Sequence, residues 1–389
     1  MHLVETYALA CGARIDTPYI YEKYFPVPSK KYVTFQPYSQ GSIKNYDHWQ
    51  QVIDLILPIF EKENISIIQI GKEGEKSIKG CSDIIGQTNV NQAAYIIKKG
   101  DFHFGADSFG VHLASAYGKK ILALYSNNLI KNVGPYWSEN EDVVLLEPDR
   151  KGKKPNYSLE EYPKSINTIK PEDIAQSICD LLDLDFKKPY ETIYIGERHS
   201  SEPSLAFVPD SLHYVEGKDD KPIELRMDYH FDEANLERQL QICRCGIVTE
   251  KAIDLNILKS YRPKVAHLIY KITEEDDPSF ISNVRKLGIQ IMLVSNLPKD
   301  KVESKKIDYY NVGRINVIEE SNKDLINEIK ELKGLLYKSS KVIMSNRQTY
   351  SSYPKYEKKS PSMGNFEPIE KTQEFFDDLD HFHVIKKLD

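Results

Sequence analysis

The sequence lacks several features that would place the chain in a specialised class. It has no run of about 18 uninterrupted apolar residues, the length that a membrane-crossing helix needs. Its first residues, MHLVETYALACGARI, lack the basic start and the cleavage site of a signal peptide. The five cysteines are odd in number and scattered, which argues against a disulfide framework: Cys11, Cys81, Cys179, Cys243 and Cys245. These absences predict a cytoplasmic protein without a transmembrane segment.

Signature motifs of several enzyme classes are missing as well. The chain contains neither the GxGxxG fingerprint of dinucleotide oxidoreductases nor a P-loop, and no Cys/His spacing indicates zinc. Its C-x-C pair, in QICRCGIV, has no matching second pair and is typical of core or edge cysteines. Two acidic doublets follow predicted helices rather than strands, which favours solvated helix ends: Asp183 with Asp185, and Asp378 with Asp380. We therefore predict no bound metal ion and no cofactor.

The composition is ordinary. At 389 residues the chain is long for one hydrophobic core and has room for two domains. Hydrophobic residues make up 40% and charged residues 28%, as in soluble globular proteins. The formal net charge of −6 argues against general affinity for nucleic acid, although a local basic groove could still hold a phosphate.

Predicted strands and helices alternate along the chain, which indicates parallel sheets covered on both faces. Residues 1–30 combine a short helical pattern with several prolines, and we interpret them as a lead-in segment. A first α/β domain then covers residues 31–188, and a second covers residues 190–389 and ends in a helix. Within the second domain the apolar spacing predicts one long helix from Asn322 to Tyr337.

The stretch from Asp101 to Ser126, DFHFGADSFGVHLASAYGKKILALYS, is the most informative part of the sequence. A strand, Phe102 to Gly105, leads through Asp107 and Ser108 into a helix, and we expect these two side chains to cap it. In open α/β sheets such a helix begins at the carboxyl edge of the sheet, where anions bind. The stretch therefore predicts half of a nucleotide-binding unit.

Three motifs follow one another between Lys31 and Leu182: KYVTFQPYSQGSIKNYDHW, then IIQIGKEGE with IIGQTN, then GADSFGVHLASAYGKKILALYS. Their order and spacing resemble the nucleotide-sugar-binding domain of glycosyltransferase family 9, the ADP-heptose:lipopolysaccharide heptosyltransferases and their relatives. The resemblance implies a GT-B fold, in which two Rossmann-like domains face a cleft. Two features depart from the family. Phe109 stands where a glycine is usual, with Gly110 next, and the donor-like domain comes first, which implies a swapped domain order.

The resemblance implies that eight residues bind the donor: Ser39, Ser42, Lys44, Glu73, Asp107, Ser108, Gly110 and His112. The serines and the backbone of their turn suit phosphate oxygens, and Lys44 suits their charge. His112, one helical turn in, would donate to the same diphosphate. Asp107 would hold a sugar hydroxyl, and Glu73 would hold the ribose diol.

Simpler interpretations of the same residues stay open. Asp107 and Ser108 could serve only as a helix cap. His112 could be a histidine packed in the sheet, and Lys44 a surface lysine. Glu73 lies among other charges and could be a solvated loop residue.

The catalytic base cannot be transferred from the family, because residues 190–389 match none of its motifs. The loop GERHSSEPS follows a predicted strand and contains Glu197, our first candidate for the base. Asp228, after the strand Ile223 to Met227, is the second candidate. A charged loop after a strand is also commonly only solvated.

The sequence thus favours an inverting, metal-independent glycosyltransferase for hexosyl or heptosyl transfer. Its expected partners are a nucleotide sugar and a glycan or lipid-linked glycan acceptor, with no nucleic acid and with membrane-surface contact left open. One alternative is a non-catalytic protein of the same fold that binds sugar nucleotides or glycans. A nucleotide-sugar epimerase is another.

Overall fold

The computed structural model describes residues 1–27, 30–150, 152–200, 202–214, 221–317, 323–362 and 364–388. The chain divides into two compact units. The first consists of Met1–Ser201 with Ile385–Asp389, and the second of Glu202–Val384. The sequence analysis predicts a domain boundary near Lys188, whereas the two units of the structure divide after Ser201.

The first unit alternates strands and helices, as the sequence predicts. Its strands are β1 (Tyr32–Gln36), β2 (Ser66–Gln69), β3 (Ser82–Asp83), β4 (Phe102–Ala106), β5 (Lys120–Leu124), β6 (Val143–Leu146) and β7 (Tyr190–Ile195). Its helices are α1 (Leu3–Cys11), α2 (Trp49–Lys62), α3 (Val90–Lys99), α4 (Phe109–Ala116), α5 (Ile130–Val133) and α6 (Pro171–Leu181).

Six of these strands form one parallel sheet in the order β3-β2-β1-β4-β5-β6. Successive side chains of a strand point to opposite faces. Val33 and Phe35 therefore pack in the core beneath α2 and α6, whereas Tyr32 packs in the core beneath α3 and α4. Gly105 in β4 lies against β1 so closely that a Cβ would come 2.0 Å from the Gln36 carbonyl oxygen. The two central strands are thus held in close contact.

The N-terminal segment packs along the first unit. His2 caps α1 by accepting a hydrogen bond from Val4 N, and Gly12 ends the helix in the left-handed conformation at φ 63°. The ring Nε2 of His2 donates to the Gly134 carbonyl at 3.0 Å. Glu22 forms an ion pair with Lys98 at 2.7 Å. Pro28 and Ser29 of the predicted lead-in lie outside the described residues.

The second unit is also α/β. Its strands are β8 (Ser204–Phe207), β9 (Ile223–Arg226), β10 (Cys245–Thr249), β11 (Val265–Lys271), β12 (Gln290–Ser295), β13 (Ile315–Val317), β14 (Leu335–Ser339), β15 (Lys341–Ser345), β16 (Gln348–Tyr350) and β17 (Glu367–Pro368); β18 spans Phe382–Lys387. Its helices are α7 (Glu233–Ile242), α8 (Leu255–Ser260), α9 (Pro278–Lys286), α10 (Lys299–Lys305), α11 (Lys323–Glu331), α12 (Tyr353–Glu357) and α13 (Gln373–Phe376).

Eight strands form its main sheet, in the order β13-β12-β11-β10-β9-β8-β15-β16. All neighbours pair in parallel except the β15–β16 hairpin. The α/β class and the parallel sheets predicted from the sequence are confirmed in both units.

One predicted helix is wrong. The residues from Asn322 to Tyr337 do not form a single helix, because α11 ends at Glu331 and the chain enters β14 at Leu335. Gly334 adopts φ 71°, which glycine tolerates without strain, and it separates the two elements. Asn322 itself lies outside the described residues.

Candidate functional site

The candidate site lies where the strand order of the first sheet reverses. Strands β2 and β3 extend from one side of β1, whereas β4, β5 and β6 extend from its other side. The carboxyl ends of β1 and β4 are neighbours, since Gln36 pairs with Gly105. In open α/β sheets, ligands bind outside the carboxyl ends of the strands at such a point.

Lys44 and Asp107 form an ion pair across this point. The Lys44 Nζ lies 2.6 Å from Asp107 Oδ2, with 18% of the lysine side chain and 4% of the aspartate side chain exposed. The aspartate is therefore bound to a cation instead of capping α4. Ser108 is the N-cap residue by position, but its side chain makes no capping hydrogen bond. The expectation that these two side chains cap the helix is thus wrong.

Gln36, which the sequence analysis missed, bonds to the first turn of α4 in their place. Its side-chain Oε1 accepts a hydrogen bond from Gly110 N, and its Nε2 donates to Ser108 Oγ, both at 3.1 Å. A Cβ at position 110 would come 2.6 Å from Gln36 Oε1. The structure thus gives Gly110 a packing role, because only glycine lets the helix approach the strand this closely. Donor contact by Gly110 stays a prediction.

His112 is half-buried on α4, near the ion pair. Burial lowers its pKa, the Asp107 carboxylate opposes that effect, and His2 and Lys44 lower the pKa further. The imidazole is therefore neutral near pH 7 in the free protein. Its proximity to His2 brings the start of α1 to the site. Only the fold reveals this, because more than a hundred residues separate the two histidines in sequence.

The turn that contains Ser39 and Ser42 is closed by the chain itself. Ser42 Oγ and Ile43 N both donate to the Leu159 carbonyl, at 3.3 and 3.2 Å. Ser39 N donates to the side chain of Asn45 at 2.8 Å. A main-chain carbonyl thus accepts hydrogen bonds from the hydroxyl of Ser42, which the sequence analysis predicts to bind a phosphate, and from the neighbouring Ile43 N–H. These bonds are long, so a charged phosphate oxygen would form shorter and stronger ones.

Glu73 is exposed in the loop that follows β2. A Cβ at Gly86 would come 3.0 Å from Glu73 Cα, so the two loops are in close contact at this point. The exposed carboxylate is accessible to a ribose diol, and it equally suits a solvated loop. Its role in donor binding stays a prediction.

The two candidate bases lie in different units. Glu197 follows β7, is exposed and belongs to the first unit rather than to the second domain in which we expected it. In the same loop, His199 is buried and accepts a hydrogen bond from Gln51 at 3.1 Å. Ser201 of this loop lies outside the described residues.

Asp228 is buried in the second unit and bound to two cations. Arg226 donates to both of its carboxylate oxygens, at 2.8 and 2.7 Å, and Lys271 donates at 3.0 Å. Burial opposes its ionisation, but the bonds from Arg226 and then Lys271 hold the pKa of Asp228 below its usual value. A carboxylate with such a low pKa is a weak general base. The structure therefore argues against Asp228 in that role.

The structure agrees with some of the predictions for the cysteines and acidic doublets and contradicts one of them. Cys245 is buried, and burial raises the pKa of its thiol, in agreement with a core cysteine. Asp183 is 89% exposed, as predicted for a solvated helix end. Asp378 is not solvated, since its side chain is 14% exposed and pairs with Lys341 at 2.6 Å. That part of the prediction is wrong.

The described residues contain no group of three or more His, Cys, Asp or Glu side chains arranged to hold a metal ion. In the same part of the chain, no helix combines the length and apolar character that spanning a membrane requires.

Solved structures similar to the chain include E. coli ADP-heptose LPS heptosyltransferase II, at 17% identity over 40% of this chain and 47% of that chain, with a TM-score of 0.30. A family 9 glycosyltransferase from Veillonella parvula is 16% identical over 46% and 50%, with a TM-score of 0.31. E. coli heptosyltransferase WaaC with ADP is 14% identical over 46% of this chain and 54% of that chain, with a TM-score of 0.32. The chain thus spans about half the length of these structures.

A comparison with curated proteins finds no match. A family model does match the chain, and it covers both strand ends of the candidate site as well as the Leu159 carbonyl. This match confirms the resemblance inferred from the three sequence motifs. Residues 15–162, in the N-terminal part of the chain, match the model of glycosyltransferase family 9 (heptosyltransferase).

Proposed function

We propose that the protein is a glycosyltransferase that moves a hexosyl or heptosyl group from a nucleoside-diphosphate donor to a hydroxyl of a glycan or lipid-linked glycan. The Lys44–Asp107 pair at the strand-order reversal, inside the family 9 domain, carries this proposal. In the reaction the bond between the sugar and the diphosphate breaks, and a bond to the acceptor oxygen forms. The acceptor proton passes to a base, and the diphosphate leaves with its negative charge.

The ion pair supplies the Lys44 ammonium group, which can exchange Asp107 for a bound diphosphate. In the free protein, Asp107 neutralises Lys44 at 2.6 Å. An arriving diphosphate competes for Lys44 and releases the Asp107 carboxylate to accept hydrogen bonds from sugar hydroxyls. Charge-assisted bonds of this kind are about twice as strong as bonds between neutral groups. Lys44 would thus bind the diphosphate of the donor, and Asp107 would bind its sugar.

Inversion and metal independence are part of the proposal. The groups that would stabilise the leaving diphosphate are Lys44, the positive end of the α4 dipole, and His112 once it is protonated. These groups provide positive charge without a divalent ion. The acceptor, and the cytoplasmic location inferred from the sequence, stay predictions.

The test is a donor panel of ADP-heptose, UDP-glucose and GDP-mannose with excess EDTA, with release of nucleoside diphosphate as the measurement. We expect slow hydrolysis or transfer with one donor, unchanged by EDTA, and loss of the activity in Lys44→Met. Activity that EDTA abolishes and Mn²⁺ restores would contradict metal independence. Failure to bind or turn over any donor would contradict the function itself.

A non-catalytic sugar-nucleotide-binding protein is the second candidate. The observation that favours it is the binding of Asp228 by Arg226 and Lys271, which leaves only one of the two candidate bases suited to proton transfer. Calorimetry separates the two functions. Tight binding of a nucleotide sugar, with no hydrolysis after many hours and no transfer to any glycan, would favour the binding protein.

A further inference from the structure

Gln36 links the two strand ends that form the candidate site. It is the last residue of β1, and only 4% of it is exposed. Its side chain reaches the start of the neighbouring α4, whereas the turn that contains Ser39 and Ser42 follows it in the chain. The amide group of Gln36 therefore links the turn that is predicted to bind phosphate with the start of α4, which is predicted to bind the donor.

The orientation of this amide follows from its partners. The backbone N–H of Gly110 can only donate, so the carbonyl oxygen Oε1 of Gln36 must face it. The amide nitrogen Nε2 then necessarily faces Ser108 Oγ, at 3.1 Å. Ser108 accepts this bond through a lone pair, so its own hydroxyl proton remains available for another acceptor.

We propose that Gln36 is a positioning residue that orients the Ser108 hydroxyl as a hydrogen-bond donor to the diphosphate of the nucleotide sugar. Ser108 is half-buried at the carboxyl end of β4, beside the Lys44–Asp107 pair, where an anionic ligand would lie. Because Gln36 Nε2 donates to the Ser108 oxygen, the hydroxyl proton points away from the amide, toward the phosphate oxygens. Without Gln36, the hydroxyl rotates freely and this preorganisation is lost.

The inference rests on the proposed function, and ADP is the probe for its test. We would measure ADP affinity by calorimetry for the parent, Ser108→Ala, Gln36→Met and the double variant. Methionine is close to glutamine in size but cannot donate to Ser108. Each single change should weaken binding by about tenfold to a hundredfold, the range for hydrogen bonds to charged groups.

The double variant decides between positioning and a merely structural role. If Gln36 acts through Ser108, the double variant should bind ADP within about twofold of Ser108→Ala, since the two effects are not additive. If the two effects multiply, Gln36 acts independently of Ser108 and the inference is wrong. If the parent itself binds no nucleoside diphosphate, the proposed function fails first and the inference fails with it.

Two further variants, Gln36→Glu and Gln176→Met, distinguish a specific effect on ADP binding from misfolding. Gln36→Met leaves the Gly110 N–H without its acceptor, whereas Gln36→Glu keeps an oxygen there and places a second oxygen against Ser108. The glutamate should accept a hydrogen bond from the Ser108 hydroxyl, which then cannot donate to ADP, and ADP binding should weaken. This loss should be smaller in the Ser108→Ala background. An equal loss in both backgrounds would overturn the inference. Gln176→Met is the matched control, because it removes a glutamine bond to Asp180 within α6, and ADP affinity should not change.

Discussion

The ammonium group of Lys44 lies 2.6 Å from the Asp107 carboxylate and joins the loop after β1 to the start of α4. The pair therefore serves two purposes at once. It neutralises a carboxylate that is nearly inaccessible to solvent, and it holds a cation where the diphosphate is proposed to bind. Stability and ligand binding should consequently respond to different substitutions.

Lys44→Met should both destabilise the protein and weaken ADP binding. Removal of one partner of a buried ion pair costs about 3 to 5 kcal/mol, because the other charge is left uncompensated. The double variant Lys44→Met/Asp107→Asn removes both charges and should recover much of the free energy of unfolding in urea. It should not recover ADP affinity. If it binds ADP as the parent does, Lys44 is not a phosphate ligand.

The resemblance to family 9 pointed to Lys44 and Asp107, and the fold brings them together because parallel strands have their carboxyl ends at one edge of the sheet. The sequence analysis did not identify Gln36, because a polar residue at the end of an apolar strand gives no sign of which helix it will reach. The Leu159 carbonyl was beyond prediction for another reason. Every residue has a main-chain carbonyl, so only the tertiary fold shows which one closes the turn at Ser42.

The errors in the second unit have local physical causes. The apolar spacing on α11 continues past Glu331 into β14, and only the conformation of Gly334 separates helix from strand. Asp378 was expected in solvent because it follows helical residues. Lys341, which is distant in sequence, forms an ion pair with Asp378 and offsets the cost of burying the carboxylate.

ADP binding should take up protons through His112. Burial lowers the pKa of this histidine in the free protein, so the ring is neutral near pH 7. A diphosphate beside it favours the imidazolium and raises that pKa, and binding therefore consumes a fraction of a proton. Calorimetry in buffers of different ionisation enthalpy measures the uptake.

His112→Asn is the control for that measurement. The phosphate itself titrates near pH 6 and contributes a background that both proteins share. The parent should take up more protons than the variant at pH 6.5 to 7.5, in the pH range of histidine titration. Equal uptake in both proteins would show that His112 does not face the diphosphate.

Acid should destabilise the first unit through two buried histidines. Burial lowers the pKa of His48 and of His103 to about 3, against 6.5 in the unfolded chain. The unfolded state therefore binds more protons between these values. The stability that depends on the neutral rings is complete above pH 6.5 and falls as the pH decreases toward about 3. Each histidine contributes a slope of about 1.4 kcal/mol per pH unit within that window.

His48→Phe should flatten this pH dependence. Neither ring nitrogen of His48 has a hydrogen-bond partner among the described residues, so phenylalanine removes a titrating group without breaking a bond found there. Urea midpoints from pH 7.5 to 5 should fall less steeply in this variant than in the parent. A substitution of the exposed His230 by glutamine should leave the slope unchanged. A parental slope in His48→Phe would contradict the assignment.

Asp228→Asn and Glu197→Gln should separate a structural carboxylate from a catalytic one. The Asp228 side chain is fully shielded from solvent and binds Arg226 and Lys271, so its neutralisation leaves buried positive charge uncompensated. We expect a loss of about 3 to 5 kcal/mol in the free energy of unfolding. Turnover per folded molecule should stay close to that of the parent, because a carboxylate held in its ionised form is a weak base.

Glu197→Gln should give the opposite result. Its side chain is exposed after β7, so stability should change by less than about 0.5 kcal/mol. If Glu197 is the base, kcat at saturating donor should fall by roughly 100- to 10,000-fold while ADP affinity is kept. Both variants must be compared at equal folded fraction, measured by circular dichroism, because unfolding of Asp228→Asn would otherwise imitate a catalytic loss. A parental kcat in Glu197→Gln, in a protein whose parent transfers sugar, would place the base on another residue.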